Sequence, residues 1–409
     1  MAVEQAVILA AGQSRRFWPL NYQPKSLFKI MGRPLIWYTL DGLKKAGIRE
    51  VVIVQSIKKD IQKALENYLF PNLKIKYVVQ KKPQGMGDAL FCARSWLKDR
   101  FFLMHAHHLE APGYLKPLKS EKAHLVLFAV KTAAPQHYGI LKFQGDKIAG
   151  IVEQPRPGKE PSDWKVRGFY FLSKEFFDYY QKVRGRLYDF EDALNLLIKY
   201  KKVKLVKTKG EELTLKYPWD LFSVLSYLMK NYLESKIARS ALISKDAVIK
   251  GPVYIGERVK VFEGAVIKGP CYIGDECMIG SNSIVRDRTN LENGVLIGAL
   301  SEVTRSIFCQ GAHCHSGYFG DSIFGEDCRI GAGTITANVR LDRKEIKNTG
   351  LTSLGVMVGK DTCIGVNVSL MPGVLIGSRC LVGPAAVVFD RLENNKTYFA
   401  KFQRLTKLK

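Results

Sequence analysis

Aliphatic residues recur every six positions in the C-terminal half of the chain, at Ile243, Ile249, Ile255, Val261, Ile267, Ile273, Ile279, Val285, Leu291, Ile297 and Val303. Two positions before each stands a small or β-branched residue, such as Ala241, Val253, Ala265, Cys271, Cys277 or Ser283. Glycine often follows, as at Gly256, Gly274, Gly280 and Gly298. The pattern resumes at Phe324 and Ile330, then runs through Val358, Ile364, Leu370, Ile376, Val382 and Val388. A helix needs a period of about 3.6 and a half-buried strand a period of about 2, so neither explains it. A six-residue period predicts a solenoid, three short strands to a triangular coil, each aliphatic residue stacking on its equivalent one coil on. Residues Ile243 to Val388 are therefore expected to form a parallel β-helix, with glycine and small residues at its sharp turns. The rhythm breaks from about Arg305 to Asp321 and from about Val339 to Leu354. Both breaks are expected to be inserted loops carrying function, because regular coils only pack.

The N-terminal half alternates differently. Ala6-Val7-Ile8-Leu9-Ala10-Ala11-Gly12 reads as a buried strand ending at a glycine, Pro34 to Gly47 as an amphipathic helix, and Glu50 to Val54 as a second buried strand. Strands alternating with helices predict an α/β domain with a parallel sheet and its site at the strand C-terminal ends. Two domains are expected, 1–235 and 236–409, in keeping with a chain of 409 residues.

Composition changes the picture little. No run approaches the roughly 18 apolar residues of a membrane span, and the start lacks the basic and small-residue marks of a signal peptide. A soluble cytoplasmic protein is expected. The eight cysteines include no CxxC pair and several share the repeat position with Ala, Ser and Thr, so they read as reduced packing residues. The net charge of +25 favours anionic partners. Its lysines are scattered, apart from Lys199, Lys201, Lys202, Lys204 and a tail ending Lys407-Leu408-Lys409. No RNA-binding motif accompanies them, and nucleic acid is not the expected partner.

Leu9-Ala10-Ala11-Gly12-x-x-x-Arg16-x-x-Pro19-Leu20-x-x-x-Pro24-Lys25 resembles the signature of sugar-1-phosphate nucleotidylyltransferases. Gln80 and Gly85 resemble the family's base-reading segment; Tyr138-Gly139, Glu153-Gln154-Pro155 and Gly168-Phe169-Tyr170 its sugar-side loops; Tyr217-Pro218-Trp219-Asp220-Leu221 the start of its closing helix. This domain followed by a hexapeptide helix resembles, over essentially the whole chain, the bifunctional N-acetylglucosamine-1-phosphate uridylyltransferase/glucosamine-1-phosphate acetyltransferases. The resemblance implies a Rossmann-like nucleotidyltransferase domain followed by a left-handed parallel β-helix, and a homotrimer formed through that helix. It implies a nucleoside triphosphate against Leu9, Ala11, Gly12, Gln80 and Gly85, catalytic roles for Arg16 and Lys25, and a sugar phosphate against Gly139 and Glu153.

Nucleotidyl transfer brings two anions together, so magnesium and cationic side chains must neutralise developing charge. The positions that match the family's two metal-holding residues are His107 and Thr214, and imidazole is a poor Mg²⁺ ligand. Ser14-Arg15 replaces the usual Gly-Thr or Gly-Ser, Val166 the usual Asn, and Gln154 the usual Lys. Three readings stand open for this half: a weakened or inactive site kept as a binding scaffold, transfer with a shifted metal that uses Glu110, or a transition-metal site of His105, His107, His108 and Glu110. Mg²⁺ is expected only if the site is active.

The other half resembles its family more closely. His315-x-x-Tyr318-x-Gly320-Asp321 matches the acetyltransferase motif, and Gly331-Ala332-Gly333-Thr334-Ile335-Thr336-Ala337-Asn338 a second one. The resemblance implies acetyl-CoA as acetyl donor and His315 as general base, a role suited to a group that titrates near neutrality. Tyr318, Arg329 and Asn338 fall on its sugar side. Arg329 stands where the family has Asn, and a lysine expected near Thr304 is absent. Two functions compete: a sugar-1-phosphate N-acetyltransferase with a nucleotidyltransferase half of altered metal site, and an inactive regulatory or scaffold subunit with the same folds.

Overall fold

The computed structural model describes residues 4–115, 118, 121–209 and 213–401; the basic tail lies outside them. The chain forms two compact units that do not divide at a single point: Met1–Gln13 with Pro34–Thr214, and Ser14–Arg33 with Leu215–Lys409.

The first unit is built on strands β1 (Gln5–Leu9), β2 (Glu50–Ser56), β3 (Lys74–Gln80), β4 (Arg100–His105), β5 (Leu125–Lys131), β6 (Gly139–Gln144), β7 (Lys147–Glu153), β8 (Trp164–Ser173) and β9 (Val203–Lys207). They join one sheet in the order β9-β5-β8-β4-β1-β2-β3, with the β6–β7 hairpin attached to β8. Strands β3, β2, β1 and β4 are parallel, as the alternation predicts; β1, β2 and β4 are apolar runs buried on both faces, while β3 is a half-buried edge strand. The prediction of a wholly parallel sheet needs correcting: β8 runs antiparallel to both β4 and β5. It is reached through a hairpin instead of a crossover helix, so nothing restores the strand direction.

Helix α1 (Leu35–Lys45) turns Leu35, Ile36, Tyr38, Leu40 and Leu43 inward, and Lys44 and Lys45 sit in its last turn, where cations complement the helix dipole. Further helices are α2 (Asp60–Leu65), α3 (Met86–Cys92), α4 (Phe176–Val183) and α5 (Asp189–Tyr200). The last three bury Leu90, Phe176, Tyr180, Phe190 and Leu194 in the core with Val7, Val52, Leu103 and Leu127.

In the second unit α6 (Leu221–Tyr232) leads into a left-handed parallel β-helix whose three sheets begin at Lys236–Ile237, Leu242–Ile243 and Val248–Lys250. Aliphatic residues one coil apart pair directly, Ile255 with Ile273 and Val261 with Ile279, and form one continuous buried column. The glycines after them have a different cause from the one the pattern suggested. Gly280 and Gly298 are absent from the left-handed backbone positions, which fall mostly on residues such as Arg258, Glu276 and Asn282. A Cβ on Gly298 would lie 1.9 Å from the His315 carbonyl oxygen, and one on Gly280 2.4 Å from the Ala299 nitrogen. These glycines are required by the approach of the next coil.

The first break in the rhythm is not an inserted loop. Glu257 and Asp275 meet across a coil of 18 residues, whereas Arg305 and Asp321 meet across 16, so here the coil shortens. Phe308, Cys314, Phe319 and Phe324 continue the inward column, with the Phe308 and Phe324 rings stacked at 4.6 Å. An aliphatic count at fixed spacing misses a stretch in which residues drop out and aromatic rings take over. The second break is a true excursion: Ser322 and Val356 bond at a separation of 34, and Leu354 N–H closes the loop on the Asn338 carbonyl at 2.8 Å.

All eight cysteines are free, and six are buried. Burial pushes the thiols of Cys271, Cys277, Cys314 and Cys328 up to about 12, which makes them inert packing residues. Among the described residues no helix is long and apolar enough to cross a membrane.

Candidate active sites

In the first unit the predicted nucleotide residues gather at the C-terminal ends of parallel strands, where an open α/β sheet binds ligands. Leu9 ends β1, and Ala10 N–H donates to the Val54 carbonyl at 2.8 Å. Gly12 is exposed, and a Cβ there would meet nothing within 4 Å. Gln80 ends β3; its amide donates to Asp88 Oδ2 at 3.0 Å and to the Gly85 carbonyl at 3.3 Å. Asp88 accepts in turn from Arg184 at 3.1 Å. Gly85 has φ +100°, a conformation that suits only glycine without strain.

Gly139 pairs with Glu153 across the hairpin, and a Cβ on Gly139 would come within 2.6 Å of Glu153 Oε2. A small residue at 139 is what leaves this carboxylate its place. The sequence did not single out Glu191. Burial, ahead of the nearby charges of Glu153, Asp189 and Asp192, raises its carboxyl to about 7.

His105 ends β4 beside Leu9, and His107 and His108 follow in the turn. The three rings pack together, with centroids 5.5 Å apart for His105–His107 and 4.6 Å for His107–His108. His108 is only 5% exposed and packs edge-on to Phe169 at 5.7 Å. Gly168 is needed beside it, since a Cβ there would lie 2.5 Å from the imidazole. Among the described residues no three His, Cys, Asp or Glu side chains are grouped to hold a metal ion, so the transition-metal reading of His105, His107, His108 and Glu110 is not met.

Arg16 and Lys25 belong to the second unit. Ser14 takes a left-handed backbone, at φ 52°, and its Oγ accepts from Lys25 N–H at 3.2 Å. Lys25 Nζ donates to the Leu215 carbonyl at 2.6 Å. Burial lowers the Lys25 amine from 10.5 to about 8, against the opposing pull of Asp220 and with help from Lys216 and Arg16. Asp220 is held by the N–H groups of Lys216, at 2.5 Å, and Tyr217, at 2.9 Å. A titration of isotopically methylated lysines followed by NMR is expected to show one midpoint near 8. Only ordinary midpoints near 10.4 would overturn this environment for Lys25.

On the β-helix two groups of side chains form. Tyr318 and Asn338 converge over Gly320, whose Cβ would meet the Tyr318 hydroxyl at 2.7 Å and Asn338 Nδ2 at 2.9 Å. Beneath them Asp321 is a hub. It accepts from Arg305 Nε at 2.6 Å and Nη2 at 2.9 Å, from Asn338 Nδ2 at 2.5 Å and from Ser353 Oγ at 2.7 Å. Burial pushes the Asp321 carboxyl up, but bonds from Arg305, Ser353 and Asn338 outweigh it and hold the group below the usual carboxylate value.

At the adjacent corner His315 is exposed, its N–H anchored to the Ile330 carbonyl at 2.9 Å. His313 pairs with Arg329 on the neighbouring coil. Burial, then the charges of Arg329 and His315, lowers the His313 imidazole. Arg329 Nη1 donates to the Gly311 carbonyl at 2.6 Å. Arg305, Ser353 and His313 were not picked out from sequence. Arg305 falls where a two-residue shortening hides the register, and Ser353 lies in a loop without periodicity.

An α/β unit with its strand ends so equipped, joined to a β-helix carrying a histidine and a tyrosine–asparagine pair, defines a two-part transferase. Residues 5–212 match the nucleotidyl transferase family, and residues 270–303 and 355–388 the hexapeptide repeat of succinyl-transferase. Over 94% of its length the chain is 32% identical to a bifunctional sugar-1-phosphate nucleotidylyltransferase/acetyltransferase of Sulfurisphaera tokodaii, covering 97% of that protein. It is 33% identical over 97% of its length to the bifunctional protein GlmU of Methanococcus maripaludis, and 32% identical over 95% to that of Methanocaldococcus jannaschii, covering 97% and 96% of them. The chain belongs to this family of bifunctional nucleotidylyltransferase/acetyltransferase enzymes.

Proposed function

We propose that the chain acetylates the amine of a glucosamine-1-phosphate-like sugar from acetyl-CoA, and that its nucleotidyltransferase half has lost the ordinary magnesium site. The observation that carries the first part is the convergence of Tyr318 and Asn338 over Gly320, braced by Asp321, one short strand from His315. In this reading Tyr318 and Asn338 orient the sugar amine, and Arg329, with its planar fork of donors, faces the phosphate. The amine nitrogen attacks the thioester carbonyl carbon while His315 takes its proton. The new C–N bond forms, the C–S bond breaks, and coenzyme A leaves as a thiolate that is protonated to the free thiol. Ile335, Val366, Leu381 and Val387 are each about half exposed on the coils, which supports a homotrimer through the β-helix. The free cysteines support a cytoplasmic location.

The second part rests on the donor set. Mg²⁺ requires oxygen ligands; His107 presents nitrogen and Thr214 a neutral hydroxyl, so these positions do not fit it. What this half offers a nucleoside triphosphate is the backbone at its strand ends, around Leu9, Gly12 and Gly85. Purified protein is expected to release free thiol from acetyl-CoA when glucosamine-1-phosphate is added, and to release little pyrophosphate from UTP or dTTP with sugar phosphates and Mg²⁺. His107→Asp combined with Thr214→Asp is expected to raise the pyrophosphate signal. Absence of thiol release would favour a scaffold subunit. Robust Mg²⁺-dependent turnover by the wild type would overturn the account of the metal site.

A further inference from the structure

The segment Ser14–Arg33 carries Arg16 and Lys25, yet it is part of the compact unit that contains the β-helix. Its end is fastened by two residues that flank inward-facing Leu291 on one coil. Met31 N–H donates to Asn290 Oδ1 at 2.9 Å, and Gly32 N–H to Glu292 Oε2 at 3.1 Å. Asn290 Nδ2 donates to Glu292 Oε1 at 2.9 Å, so the two side chains hold each other as well as the loop. Both are buried, at 0% and 2% exposure. Gly32 has φ +75°, and a Cβ there would lie 2.6 Å from the Tyr272 hydroxyl. Only glycine fits both the backbone and the space.

The rest of the segment is fastened too. Lys360 Nζ stands 5.6 Å from the centre of the Tyr22 ring, and the Arg391 guanidinium 3.6 Å from that of Trp18. Cys309 and Glu326 both bear on the buried Tyr22 hydroxyl. The β-helix therefore grips this segment at its beginning, middle and end. Burying a carboxylate is costly unless it is fully bonded, and at Glu292 the partners that compensate include the loop backbone itself.

We infer that the β-helix, through Asn290 and Glu292, is a positioning element for nucleoside triphosphate binding, because it fixes the loop that presents Arg16 and Lys25. The inference rests on the reading of those two cations as phosphate-facing. Asn290 and Glu292 are positioning residues that act through the loop backbone they hold.

The test uses the full chain with Asn290→Ala, Glu292→Ala and Glu292→Gln, the last keeping an oxygen acceptor for Gly32 N–H. Amide hydrogen exchange over 14–33 is expected to rise about tenfold or more in both alanine variants and to recover largely in Glu292→Gln. UTP, used as the probe, is expected to bind about tenfold more weakly to the alanine variants, as to Arg16→Ala, with thiol release from acetyl-CoA unchanged. Should Glu292→Ala fail to fold, Gly32→Ala loosens the same contact from the loop side. Unchanged exchange over 14–33 in correctly folded variants overturns the inference. If the wild type binds no UTP, the phosphate reading of Arg16 and Lys25 fails, and the positioning role fails with it. Hydrogen exchange still reports separately whether the β-helix holds the loop.

Discussion

Replacing His315 by alanine is expected to lower thiol release from acetyl-CoA by about 10²–10⁴-fold, the usual contribution of a positioned general base. The side chain is exposed, and the residue is tied into its coil through the N–H bond to Ile330. The mutation should therefore leave circular dichroism and the melting temperature unchanged, as surface substitutions away from packed features usually do. Loss of turnover with an intact fold identifies His315 as the proton acceptor. Retained turnover sinks the mechanism, and a collapse of the fold would assign the residue a structural task.

The second large effect belongs to Asp321. Its carboxylate joins Arg305, Asn338 and Ser353, three residues from separate stretches of the chain. Asp321→Ala leaves a guanidinium and an amide without their acceptor. Breaking a buried ion pair costs roughly 3–5 kcal/mol; because Arg305 is a third exposed, about 2–4 kcal/mol is expected. Asn338 also loses its brace, so turnover should fall by about 10²-fold with a rise in KM for the amino sugar.

The pH dependence has a definite sign. The folded carboxyl is held below the usual value, so in the unfolded chain the group binds a proton more readily than in the fold. Its stabilisation is fully present above about pH 4 and is lost as the pH falls through the lower folded value. Chemical denaturation between pH 2 and pH 6 checks this. In Asp321→Asn the corresponding acid-side slope should be missing, and its persistence there would assign it to another group.

Much of the β-helix was legible because each coil repeats the same local contacts: residues 18 apart stack, so a fixed period in sequence is a fixed column in space. Legibility ended where spacing changed. The stretch around His315 read as an inserted loop because two residues drop out and Phe308, Cys314 and Phe319 replace aliphatics, although the column itself runs on unbroken. The motif His315-x-x-Tyr318-x-Gly320-Asp321 remained visible because it is contiguous. Its brace was not, since Arg305 reaches Asp321 from the preceding coil and Ser353 from the excursion loop, with no mutual spacing.

In the α/β half the strands at Ala6 and Glu50 and the helix after Pro34 followed from apolar runs and periodicity. The direction of β8 did not, because periodicity says nothing about whether a strand enters by a crossover or a hairpin. What the sequence by itself determined were the repeat, the strand-end loops and the identity of the groups that can do chemistry, all of them local properties. Only the tertiary structure decided which of those groups meet. It set Tyr318 and Asn338 over Gly320, and it gave the loop of Arg16 and Lys25 to the β-helix through Asn290 and Glu292. A contact between residues some 260 positions apart leaves no periodic trace, because it depends on the packing of whole elements.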